Sequence, residues 1–105
     1  MTDTPKTYKQ RLEEIRKTII DIGPKESAFV RIEQLFYEAI NISRSYGKDI
    51  ADNKLLVLFK ELEESDYYQK TKAHFRKSSQ REQAIRRFIN QFKKLLALAI
   101  KNHFE

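Results

Sequence analysis

The chain has 105 residues and a net charge of +6, with 40% apolar and 34% charged residues, a balance that fits one small solvated domain rather than a disordered tail. Two glycines and two prolines are too few turn formers for an all-β domain, and the lack of cysteine excludes disulfides, thiolate metal sites and a cysteine nucleophile. No apolar run approaches the ~18 residues of a membrane span, and the polar start Met1-Thr2-Asp3-Thr4-Pro5 lacks a signal-peptide core, so a soluble cytoplasmic protein is expected.

The first helix is predicted to start at Thr4-Pro5, a capping residue followed by proline at the first helical position. Tyr8, Leu12, Ile15, Ile19 and Ile22 recur at alternating spacings of four and three, which draws one narrow apolar stripe. Gly23-Pro24 ends it. A second helix begins between Pro24 and Ser27 and buries Ala28, Phe29, Ile32, Leu35, Phe36, Ala39 and Ile40, a stripe wide enough for two neighbours. It is predicted to end near Tyr46-Gly47. Asp49 or Asp52 caps the third helix, whose apolar face is Ile50, Leu55, Leu56, Leu58, Phe59 and Leu62. Beyond Ser65, two readings stand open. Either Asp66 starts a separate short helix carrying Tyr67, Tyr68, Thr71 and Phe75, or the third helix continues with a kink. Ser79-Gln80-Arg81-Glu82 has the S-x-x-E spacing of a capping box. The helix it announces runs to about Asn102 and buries Ile85, Phe88, Ile89, Phe92, Leu95, Leu96, Ala99 and Ile100. The pattern predicts an all-α domain over residues 1–105, an antiparallel bundle of about four helices.

Catalytic constellations are not found. His74 and His103 are far apart and have no ligand partner at helical spacing, so no metal or cofactor is expected. Glu61, Glu63, Glu64 and Asp66 read as a solvated acidic run beside Lys60. There is no nucleophile elbow and no glycine-rich phosphate loop. The expectation is a protein that is not an enzyme.

The informative feature is where the charge lies. Residues 70–105 carry ten Lys/Arg and two acids, so this third is strongly positive while residues 1–69 are slightly negative. At 100° per residue, Arg86, Arg87, Lys93, Lys94 and Lys101 fall broadly opposite the core face of the last helix. Arg87, Lys94 and Lys101 repeat every seven residues, forming a stripe about 20 Å long. A solvated face ordinarily mixes signs, and this one has only Glu82 among residues 70–104. Such a stripe suits phosphate neutralisation. Lys70, Lys72, Arg76 and Lys77 extend it, and Tyr67 and Tyr68 are candidates for stacking on unpaired bases.

The sequence reading is therefore a non-catalytic, basic helical subunit that binds nucleic-acid backbone, DNA or RNA. In size, charge and class the chain is similar to the small helical subunits of CRISPR effector complexes, which line guide–target nucleic acid without catalysis; the likeness is at the level of fold and no motif carries it. The alternative is a protein–protein interaction module of the antitoxin, immunity or accessory type. Leu98, and the pair Val30 and Tyr37, fall off the core stripes and are candidates for a partner or self-association surface. A membrane-surface role is disfavoured, because the apolar face of the last helix suits a bundle core.

Overall fold

Thr7 opens the first helix through a capping box. In the computed structural model, which describes residues 7–23, 25–72 and 78–104, the Gln10 N–H donates to Thr7 Oγ1 (3.1 Å) and the Thr7 N–H donates to Gln10 Oε1 (2.9 Å). These reciprocal bonds satisfy two of the orphan amides at the helix start. The predicted Thr4-Pro5 start lies outside the described residues. Helix α1 spans Tyr8–Ile22 and closes at Gly23, whose φ of 79° suits a residue without Cβ.

A 3-10 turn, Glu26–Ala28, leads into α2, Phe29–Ile50. This helix passes the predicted stop at Tyr46-Gly47 and continues for almost another turn. Gly47 stays helical, and its missing side chain is what the next turn needs: a Cβ there would stand 2.9 Å from the Asp52 carbonyl oxygen. The Asp52 N–H donates to the Gly47 carbonyl at 3.0 Å, and Ala51 makes the reversal at φ 55°, ψ 42°. A left-handed conformation costs a non-glycine residue about 1–2 kcal/mol. Ala51 is exposed, so Ala51→Gly is expected to raise stability in urea denaturation by about 0.5–1 kcal/mol, after the extra unfolded-state entropy of glycine is deducted. An unchanged or lower stability would show that the methyl group contributes more than the strain costs.

Helix α3 is Lys54–Glu64. Neither predicted cap takes the N-cap position, which is Asn53 without a side-chain cap bond; Asp52 stands one residue before it, and its Oδ1 accepts from the Lys54 N–H at 2.9 Å. Asp49 stays within α2 and accepts a hydrogen bond from the Tyr8 hydroxyl. Ile50, expected on the third helix, instead sits exposed at the end of α2. Ser65 is extended and separates α3 from α4, Asp66–Lys72, so the short separate helix is the form taken. Helix α5 spans Ser78–Phe104, about 40 Å at 1.5 Å per residue. It already includes Ser79, so the S-x-x-E box does not cap it; Glu82 accepts instead from Arg86 Nη2, one turn on, at 3.2 Å. The described residues thus form five α-helices and no strand, an all-α fold.

One core cluster draws on all five helices. The predicted core residues of α5 are buried, with Leu95 packed at the margin. Phe36 of α2 is its centre, with ring centroids 5.1 Å from Phe88, 5.2 Å from Phe92 and 5.4 Å from Tyr68. The shortest dimension of the chain is 19 Å, roughly two helix diameters. In so thin a fold a helix with one face in the core keeps its other face open to solvent.

Tyr68 ties α4 to α2. Its ring is fully buried, its hydroxyl donates to Glu33 Oε2 at 2.6 Å, and its remaining contact at 2.9 Å is with the Tyr37 hydroxyl, which then acts as donor. Burial, followed by the hydrogen bond to Glu33, pushes the Tyr68 pKa far above the ordinary tyrosine range. The folded value is raised above the unfolded value of about 10. The contribution is therefore complete below pH 10 and declines as pH climbs above it. Tyr68→Phe is expected to cost about 1–2 kcal/mol at neutral pH and to flatten the alkaline decline. Urea denaturation at neutral pH and above pH 10 tests both, and an equal alkaline decline in the variant would assign that decline to other groups.

Candidate nucleic-acid interface

The inner face of α5 fixes where its cations point. Ile85, Phe88, Ile89, Phe92, Leu96 and Ala99 are buried, so the opposite face, from Gln83 through Arg87, Asn90 and Lys94 to Lys101, is exposed. Arg86 and Lys93, seven residues apart, form the adjoining row; Lys93 is half-buried, and Arg86 is exposed despite its ion pair with Glu82. A pair this exposed adds little and leaves the guanidinium accessible.

Neighbouring helices add to the two ends of this face. At the α4 end, Lys70 and Arg87 line one open depression of about 560 Å³ with Asp66, Tyr67, Gln80 and Gln83. Lys70 thus joins the predicted stripe through the fold. At the far end, on the opposite flank of α5, Lys101 shares a groove with Arg16 and Lys17 of α1, alongside Glu13. The sequence reading missed Arg16 and Lys17. Their place off the Leu12–Ile15–Ile19 stripe was legible, but their local company of Glu13 and Glu14 made that face look mixed. Only the packing of α1 against α5 adds them to the C-terminal cations.

Other assigned residues fall elsewhere. Lys72 places its ammonium 4.6 Å from the centroid of the Tyr68 ring, a cation–π contact that draws it toward the core edge. Tyr68 itself is a correction: a fully buried ring offers no face to a nucleobase, and its hydrogen bonds anchor α4 instead. Tyr67 remains 43% exposed beside Lys70 and Arg87, open to stacking. Arg76 and Lys77, with His74 and Phe75, lie outside the described residues. Asp66 and Glu13 place one carboxylate at each end of the track, where they oppose an approaching anion.

No family model, curated protein or solved structure matches the chain. Among the described residues, no helix is long and apolar enough to cross a membrane.

Proposed function

We propose that this chain is a non-catalytic nucleic-acid-binding subunit, an antiparallel helical bundle that holds a phosphate backbone along α5 within a larger nucleoprotein assembly. The observation that carries the reading is the convergence of cations from three helices on one diagonal track. It runs from Lys70 of α4, through Arg87, Lys94 and Lys101 of α5, to Arg16 and Lys17 of α1. The fourteen helical steps from Arg87 to Lys101 span about 20 Å, the length of roughly six nucleotide steps at 3.4 Å per step. Lysine and arginine spaced in this way neutralise phosphates and release counterions without reading base sequence. Tyr67, exposed beside Lys70, adds a stacking surface that favours unpaired strands.

Fluorescence anisotropy with labelled single- and double-stranded DNA and RNA, across a salt series, tests the proposal. If about five phosphates are neutralised, log K is expected to fall against log salt with a slope of roughly −3.5 for single strands and −4.5 for duplex. No binding to any of the four ligands at low salt would overturn the reading.

A further inference from the structure

An apolar groove lies beside the track and shares Tyr67 and Lys94 with it. Leu58, Leu62, Tyr67, Leu95 and Leu98 line a groove between α3 and α5, and Leu58 continues it into a second depression with Val57. Leu98 is 54% exposed, Val57 47% and Leu58 36%. Single exposed apolar residues are ordinary, but a contiguous strip rimmed by charge marks a contact surface. Leu98 lies off the core stripe of α5 and on the wall of this groove.

We propose that this groove is a self-association surface and that its occupant is the same groove of a second copy of the chain. The charge on the rims argues for this occupant. Glu61 lies on the α3 side and Lys94 on the α5 side. A two-fold axis near Leu58 and Leu98 sets Glu61 of each copy against Lys94 of the other while the leucines pack together. Such an isologous contact needs a patch complementary to itself, and Glu61 on one wall with Lys94 on the other provides that. The contact closes at two copies. The two surfaces overlap at Lys94 and Tyr67, while Arg87, Lys101, Arg16 and Lys17 line other depressions, and self-association is read on the chain without nucleic acid, so either reading can fail without the other.

Sedimentation velocity of the nucleic-acid-free full chain, from micromolar to millimolar concentration, is the test. A reversible monomer–dimer equilibrium without larger species is expected. Leu98→Glu is expected to stay monomeric with unchanged helicity, because Leu98 is largely exposed in the single chain. Val30→Glu, on α2 and 68% exposed, is expected to dimerise like the parent. Lys94→Glu and Glu61→Lys are each expected to weaken the dimer about three- to tenfold, and the double exchange is expected to restore it. A parent chain that is monomeric throughout, an open-ended polymer, a Leu98→Glu protein that still dimerises, or a double exchange no better than its parts would each overturn the proposal.

Discussion

Arg87→Glu, Lys94→Glu and Lys101→Glu together are expected to lower nucleic-acid affinity at least ~100-fold at low salt, since non-specific binding is almost wholly electrostatic. All three side chains are exposed on α5, and none supports the core, so far-UV circular dichroism is expected to be unchanged. Lowering net charge by itself weakens attraction to any polyanion, so the result needs a control of equal charge. Arg31, Arg44 and Lys48 are exposed on α2. Changing these three to Glu shifts net charge by the same amount without touching the track. This control is expected to lose about tenfold or less, with its salt slope largely retained, because its charges make no direct phosphate contact. Equal losses in the two triple variants would show that total charge, and not the α5 face, attracts the ligand.

The reason the stripe was legible is that the two faces of α5 are complementary readings of one periodicity. Once Phe88, Phe92 and Leu96 are assigned to the core, the outward direction of Arg87, Lys94 and Lys101 follows. Helix class and most of the core follow from the same local pattern. What sequence could not supply was tertiary. Tyr68 carries the same residue type as Tyr67 and stands one position away, yet a rotation of about 100° along the helix separates a buried anchor from an exposed ring. Arg16 and Lys17 become part of the basic track only because α1 lies against the C-terminal half of α5. Boundaries failed where two signals competed. Gly47 reads as a stop, but the close approach of Asp52 uses that glycine inside the helix, and Ala51 takes the left-handed position in its place. Ser79 and Glu82 have the spacing of a cap, but the helix already includes Ser79.

Phe36→Ala is expected to be the most destabilising single substitution in the chain, costing about 3–5 kcal/mol in urea denaturation, the range for a large aromatic removed from a packed core. Its ring meets Phe88 and Phe92 of α5 edge-on and lies tilted against Tyr68 of α4, so the cavity would open where α2, α4 and α5 meet. The walls cannot easily collapse into it. Tyr68 is held by Glu33 and Tyr37, and Phe88 and Phe92 are each packed against further rings, Phe29 and Phe59. A domain of this size has only about 5–15 kcal/mol of total stability, so the alanine variant is expected to be largely unfolded near its lower limit. Phe36→Leu keeps most of the volume and is expected to cost about 1–2 kcal/mol, leaving the chain folded. This milder variant separates stability from function. If the interior only positions α5, its nucleic-acid affinity is expected to match the parent, because no cation of the track touches Phe36. A clear loss of affinity in a fully folded Phe36→Leu protein would mean that the spacing of the cations depends on how tightly α4 and α5 close around this ring.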